Sequence, residues 1–145
     1  MATPAGKQNG DLWILKLQEA SGSFVELGYA TATSISLDQN LIDVSNKNSS
    51  RWAENIRGDR SGSISFDFFH DFGSSTAGFY GMEELWNAFN NGTSLTVRFT
   101  TDVTGDYYWY AACNIASLSM TADHNDAVTC SGELTLTGAI TKADN

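Results

Sequence analysis

The sequence is short of several residue types, and each shortage excludes a class of protein. Its 145 residues include two cysteines, two histidines and one proline, Pro4. Two cysteines cannot build the dense disulfide framework of a small secreted domain. Neither Cys113 nor Cys130 belongs to a CxxC motif or a Cys/His cluster, so no zinc site is expected. No apolar run approaches the roughly 20 residues of a membrane-spanning helix.

The N-terminal residues 1–10 are polar and lack the apolar segment of a secretory signal peptide. We therefore expect synthesis, and first use, in a cytoplasm, where thiols stay reduced. The two cysteines lie on successive predicted strands. A hairpin that turns near His124 places Cys113 and Cys130 about six positions out of register. Buried free thiols are expected rather than a disulfide.

Basic residues are also scarce, with 8 Lys and Arg against 17 Asp and Glu and a formal net charge of −9. A nucleic-acid-binding protein neutralises phosphates with Lys and Arg, so specific DNA or RNA binding is not expected. This charge suits a surface that lets DNA pass without holding it. Ordinary acidic solubility gives the same charge, and charge alone does not choose between the two.

Catalytic motifs are missing as well. The sequence contains no P-loop, GxGxxG, GxSxG or HExxH pattern. His70 and His124 lie in unrelated segments without an obvious nucleophile partner. We expect His70 to end a strand and His124 to lie in a turn. The sequence predicts no enzyme, no catalytic residue, no metal site and no cofactor.

What the sequence does contain is alternating polar and apolar segments, the pattern of half-buried strands. The length fits a single domain over 1–145. One helix is predicted over 82–90, with Met82, Leu85, Trp86 and Phe89 as its apolar packing stripe. Strands are predicted near 11–18, 23–29, 32–38, 41–45, 61–70, 94–101, 106–122 and 127–141. The predicted fold is mainly β: a β-sandwich or barrel with one α-helix packed on it and a long inter-strand loop.

That long loop spans 45–60 and separates two Ser-rich alternating strands. It carries Lys47, Arg51, Arg57 and Arg60, half of the basic residues in the chain. Compact domains rarely contain a loop of this length without a function. Its composition favours a docking element over a catalytic lid.

The first half of the chain also resembles a known family. The resemblance rests on the polar N-terminal segment Met1-Ala2-Thr3-Pro4-Ala5-Gly6-Lys7 and on the run Leu41-Ile42-Asp43-Val44-Ser45-Asn46-Lys47-Asn48-Ser49-Ser50, followed by Arg51-Trp52 between Ser-alternating strands. This pattern is similar to the major tail protein, or tail tube protein, of long flexible-tailed bacteriophages. Beyond Phe69 the resemblance rests on the order of one helix and three strands.

The resemblance implies a virion structural protein that forms hexameric rings stacked into a tube, assembled in the host cytoplasm. Genomic DNA passes through the tube without specific binding, and tape-measure and tail-terminator or distal tail proteins are implied partners. Seven loop residues are expected at the contact with the next ring: Asn46, Lys47, Ser50, Arg51, Trp52, Arg57 and Arg60. Three acids are candidates for the lumen: Asp38, Asp67 and Glu133. The tails 1–10 and 142–145 are expected to cross interfaces.

Two alternatives stay open. One is the tube protein of a contractile injection or secretion machine, which shares the related fold. The other is a β-sandwich carbohydrate-binding module that uses the run Tyr107-Tyr108-Trp109-Tyr110. Alternation sends Tyr108 and Tyr110 to one face and Tyr107 and Trp109 to the other. Such a pair suits sugar stacking, a subunit interface or a two-sided core.

Overall fold

The computed structural model describes residues 6–18, 22–70 and 79–144. These residues form seven strands, one α-helix and short 3-10 helices at Gly10–Leu12 and Lys47–Ser49. The strands are β1 (Ile14–Gln18), β2 (Phe24–Glu26), β3 (Ala30–Asp43), β4 (Asn55–Phe69), β5 (Leu95–Thr100), β6 (Tyr107–Thr121) and β7 (Thr129–Asp144), and the helix is α1 (Met82–Asn91). The predicted class, mainly β with one helix, is confirmed.

All seven strands belong to one antiparallel sheet in the order β2-β1-β5-β6-β7-β4-β3. β2 and β3 occupy opposite edges, yet only Leu27, Gly28 and Tyr29 separate them in sequence. Four Cα–Cα steps reach at most about 14 Å, whereas the edges of a flat seven-stranded sheet lie about 29 Å apart. The sheet is therefore rolled into an incomplete barrel. A groove lined by Trp13, Leu27, Tyr29 and Phe79 marks the seam between its edges.

The concave side of the rolled sheet holds the hydrophobic core. Ile64, Phe66 and Phe68 of β4 are buried, as are Leu95 and Val97 of β5. Burial of each such side chain contributes about 1.5–3 kcal/mol. These residues alternate with exposed or half-buried polar ones, as expected of strands that turn one face to the core.

The cysteines confirm the predicted hairpin register. Cys113 pairs with Leu136 and Cys130 pairs with Met120 across β6 and β7. Both thiols are free and buried. Burial raises the pKa of Cys113 to about 12 and also raises the pKa of Cys130. The protonated thiols act as small apolar side chains in the core.

Glycines flank helix α1 at both ends. The backbone N–H of Gly81 donates to the Glu84 carboxylate at 3.0 Å, which satisfies an otherwise unpaired group at the first turn. Gly92 adopts φ 66° in the left-handed region, where glycine has no steric penalty, and its N–H donates to the Phe89 carbonyl.

The packing face of α1 differs from the prediction. Leu85 and Ala88 are buried, and Met82 packs against the core. Trp86 and Phe89 are 52% and 53% exposed, so their assignment to the packing stripe was wrong. The apolar arc of the helix is wider than its contact with the sheet, and burial selects the side that faces the core.

Several predicted boundaries also need correction. The separate strands predicted near 32–38 and 41–45 are one strand, β3, interrupted by a register shift between Gln39 and Leu41. The predicted tail 142–145 is strand as far as Asp144, because β7 pairs with β6 up to Tyr107. Of the predicted N-terminal tail, residues 1–5 lie outside the described residues.

Candidate assembly surfaces

Strands β3 and β4 separate from β7 and continue as a two-stranded ribbon. β4 pairs with β7 from Ser63 onward, whereas β3 and β4 stay paired with each other as far as Asp43 and Asn55. At about 3.4 Å per residue, the eight steps from Ser63 to Asn55 give the ribbon a length of about 27 Å. We call residues 39–60 the arm.

The arm corrects the predicted loop at 45–60. Residues 55–60 belong to β4, where Arg57 pairs with Leu41 and Arg60 with Gln39. The irregular part is confined to the tip between Asp43 and Asn55. A two-stranded ribbon exposed on both faces has no buried side, so its sequence shows no alternation from which to predict a strand.

The tip of the arm is held by its own hydrogen bonds. The Val44 N–H donates to the Glu54 carbonyl at 3.0 Å, and the Glu54 N–H donates to the Ser45 hydroxyl at 2.8 Å. The Ser45 N–H donates to the Asp43 carboxylate at 2.9 Å. Hydrogen bonds from the Ser45 side chain and backbone lower the pKa of Asp43, because they favour its charged form.

Two consecutive residues at the tip have left-handed backbone conformations. Ser50 has φ 53° and Arg51 has φ 70°. Each such non-glycine residue costs about 1–3 kcal/mol unless its surroundings stabilise it, and strain of this kind concentrates at functional positions. The strained pair immediately precedes Trp52, whose side chain is 79% exposed.

All seven predicted contact residues lie on the arm and are exposed. They are Asn46, Lys47, Ser50, Arg51 and Trp52 at the tip and Arg57 and Arg60 on the paired strands. Sequence reasoning missed three exposed aliphatic residues beside them, Leu41, Ile42 and Ile56. The alternating pattern predicts a half-buried strand at Leu41 and Ile42. Both are exposed because this part of β3 pairs only with β4, outside the main sheet.

The convex side of strands β3, β4, β7 and β6 is a second distinctive surface. Glu133 is paired with Ser65, two residues from Asp67 on β4, and Asp38 is paired with Ser61. The three predicted lumen acids therefore share one face of the sheet, opposite the core, and all three are exposed. Eight further positions on this face carry small uncharged side chains: Ser34, Ser36, Ser63, Ser65, Ser117, Ser119, Ser131 and Thr135. Phe69, at the end of β4, lies on the same face and is 43% exposed.

The same four strands end in two unpaired edges. β5 pairs with β6 only over Trp109–Cys113, which leaves residues 114–121 of β6 without a partner on that side within the described part of the chain. β3 is the last strand of the sheet, and no described strand pairs with its outer edge. Long unpaired edges are sites where another strand can add.

The aromatic run divides between the two faces as alternation predicted. On the core side, Trp109 and Phe99 lie against Trp13, with ring centroids 5.7 and 5.1 Å away. On the other side Tyr108 lies beside Tyr110, and the Arg98 guanidinium is 4.9 Å from the Tyr108 ring. These rings pack against one another and do not form one flat platform for a sugar.

The histidines lie where the sequence placed them. The N–H of His70 donates to the Val128 carbonyl immediately after β4, and His124 lies in the turn between β6 and β7. Among the described residues, no three His, Cys, Asp or Glu side chains come together in a group able to hold a metal ion. Within the same ranges, α1 is the longest helix, and no helix is long and apolar enough to cross a membrane.

Comparison with known families gives the decisive observation. The family model described as phage tail tube protein matches residues 7–142. The chain belongs to the phage tail tube protein family. The resemblance noticed in the first half of the sequence thus extends over nearly the whole chain. No curated protein sequence matches it significantly.

Solved tail structures share the fold. The tail of an empty gene transfer agent particle, determined with C6 symmetry, has a TM-score of 0.80 at 24% identity, covering 94% of this chain and 99% of that one. The SPP1 tail tube has a TM-score of 0.75 at 15% identity, covering 94% of this chain and 79% of that one. A contractile injection system sheath–tube complex, PVC, gives 0.56 at 13% identity, covering 92% and 88%. Family membership favours a tube protein over a carbohydrate-binding module.

Proposed function

We propose that this tail tube protein assembles with copies of itself into hexameric rings, which stack into the tube through which DNA leaves the virion. The observation that carries the proposal is the four-stranded sheet β6-β7-β4-β3 with an unpaired edge on each side. The sixfold symmetry of the gene transfer agent tail supports six copies per ring.

The strand directions suit ring closure. Neighbouring strands in this sheet are antiparallel, so its two edge strands, β6 and β3, run in opposite directions. Rotation about a tube axis keeps these directions, and β3 of one copy meets β6 of the next in the antiparallel sense. Six such sheets form a barrel of roughly 24 strands, on the order of 37 Å across before strand tilt widens it, which leaves a channel.

The arm supplies the contact between rings. Its paired strands are about 27 Å long, and it presents Trp52 at its tip together with four of the eight basic residues. The rest of the chain is correspondingly acidic, so the arm and the body of another copy are electrostatically complementary. An arm that contacts the next ring head-to-tail produces an open filament, as a tail requires.

The polar face opposite the core becomes the lining of the channel when the sheets close side by side, because the core covers the other face. Asp38, Asp67 and Glu133 then repeat around the lumen among short Ser and Thr side chains. Negative charge repels DNA phosphates, and small side chains offer few groups that hold a base or a backbone. The lining thus lets DNA slide through.

The proposed setting is the virion tail, after assembly in the host cytoplasm. Tape-measure and tail-terminator or distal tail proteins are the proposed partners at the ends of the tube. A contractile machine is the second candidate, favoured by the likeness to the PVC tube complex. Binding of a sheath protein to the assembled tube distinguishes it from a flexible tail.

The test is self-assembly of the purified protein. We expect hollow tubes with sixfold end views in negative-stain micrographs at high protein concentration, together with rapidly sedimenting species in analytical ultracentrifugation. Dilution should return a folded monomer. A protein that stays monomeric at every protein and salt concentration, and that also fails to add to pre-formed tail ends, would contradict the proposal.

A further inference from the structure

An apolar surface on the core side of the molecule has no partner within the described residues. It consists of Trp86 and Phe89 on α1 and Met120 on β6, which are 52%, 53% and 49% exposed. We call these three residues the helix pad. Two aromatic rings and a methionine left exposed beside a packed core are typical of a protein–protein contact.

The helix pad lies beside the unpaired edge of β6. Helix α1 packs on β6 and is capped by Gly92. Two residues later the Ser94 hydroxyl contacts the Asn114 side chain at 2.7 Å, at the point where pairing between β5 and β6 stops. The chain before β5 therefore leaves β6 at this point, and α1 lies on the core side of the sheet, where Leu85 and Ala88 are buried. Met120 lies near the far end of the same unpaired edge and pairs with buried Cys130, which places it on the core side.

We propose that the helix pad receives the core-side face of β3 from the neighbouring copy in the same ring. The inference rests on the proposed ring and names the side-chain contact that accompanies the pairing of the strands. Any strand added along 114–121 directs alternate side chains to the core side, over α1. On β3 those side chains are Ile35, which is half-buried, and Leu37, which is 56% exposed.

The continuity between strand edge and pad favours β3 over the arm tip as the occupant. β3 is the other long unpaired edge in the described part of the chain, and it presents aliphatic side chains on the face that pairing turns toward the pad. Pairing satisfies backbone groups on both edges, while the pad buries the side chains beneath them. The two contacts together fix which face of each copy points into the channel.

Disulfide cross-linking tests the inference. Side chains on β3 alternate between the core side and the polar side, so cysteines on the polar side serve as the control. Met120→Cys is combined in one chain with Ile35→Cys or Leu37→Cys on the core side, or with Ser34→Cys or Ser36→Cys on the polar side. Tubes are oxidised with copper phenanthroline, and products are separated without reductant. We expect covalent ladders up to six subunits with a core-side partner and none with a polar-side partner. The native thiols are buried, so little background arises.

A further cysteine pair tests the alternative occupant of the helix pad. Met120→Cys combined with Trp52→Cys reports docking of the arm tip from another ring. Cross-links from that pair with none from the core-side pairs would overturn the inference, as would equal cross-linking from both faces of β3. Tubes that assemble normally and give no core-side ladder overturn it too, while leaving the proposed tube intact.

A second measurement does not depend on cross-linking. Trp86→Ser with Phe89→Ser should raise the concentration for half-assembly at least about tenfold for each aromatic side chain that is lost from the contact. Asn87→Ser, on an exposed position of the same helix, should leave that concentration unchanged. Circular dichroism of the dilute monomer verifies the fold of each variant. Normal assembly of the double variant refutes the pad, whereas failure of the unaltered protein to assemble refutes the tube itself.

Discussion

Replacement of Trp52 by alanine isolates the contribution of the arm to ring stacking. Its side chain is 79% exposed at the tip of the arm. Surface substitutions that remove few contacts change stability by less than about 0.5 kcal/mol. We therefore expect Trp52→Ala to unfold at nearly the same temperature as the unaltered monomer. Any large effect on assembly then reports the contact between copies.

The size of that effect follows from burial and from the number of arms. A tryptophan buries about 150–250 Å², equivalent to roughly 4–6 kcal/mol at 25 cal/mol per Å² before the costs of ordering. Interface tryptophans that act as hot spots cost 2 kcal/mol or more when truncated to alanine. At about 2 kcal/mol per arm, six arms at one ring junction lose on the order of 12 kcal/mol, if they act independently. Stacking should fail at every accessible concentration.

The assay is sedimentation velocity combined with negative-stain microscopy, at matched concentration and salt. We expect the unaltered protein to form tubes, Trp52→Ala to give single rings or monomers, and Trp52→Phe to give intermediate behaviour because a smaller ring keeps part of the contact. Arg51→Ala combined with Trp52→Ala should give no tubes at any salt. Normal tubes of the double variant at an unchanged critical concentration would refute a stacking role for the arm.

Three further predictions test the core, the thiols and the channel. Gly132→Ala places a Cβ 2.7 Å from an aromatic ring and 2.9 Å from a backbone carbonyl, so thermal melts should show a loss of about 1–3 kcal/mol, whereas Gly10→Ala, with open space around it, should not. The pKa of Cys113 is raised to about 12 by burial; its protonated thiol stabilises the fold below pH ~9, and this contribution should vanish as pH rises toward 12. Urea titrations against Cys113→Ala at several pH values measure this, and a difference independent of pH contradicts it. Asp67→Asn with Glu133→Gln should leave tube formation intact and increase DNA co-sedimentation at low salt; unchanged DNA binding argues against a lumen position.

Part of the candidate site could be predicted from the sequence. The clustering of basic residues and Trp52 in one polar segment pointed to a docking element, and all its named residues do lie together on the arm. The arm's shape was not predictable, because pairing of Arg57 with Leu41 depends on two segments separated by a turn and leaves no alternating pattern on either strand. The three acids were picked one strand at a time, and the register of β3, β4 and β7 places them on one face.

For the helix, too, some properties could be predicted from the sequence and others could not. Its position and its apolar character followed from local sequence, since these depend on residues within one or two turns. Which part of its apolar arc is buried did not follow, because Trp86 and Leu85 are equally apolar and the sheet contacts one side. The exposed remainder, which carries the inferred contact between copies, is visible in the folded molecule alone.

The sequence by itself determined the mainly β class, the single helix, the free thiols and the charge balance, all of which depend on periodicity or composition. Tertiary structure decided the rest. The order of strands rolls the sheet, because three residues must join its opposite edges. The same order leaves β3 and part of β6 unpaired and sends the arm outward. These features depend on contacts between distant segments, and they are the ones that a subunit uses to recognise another copy of itself.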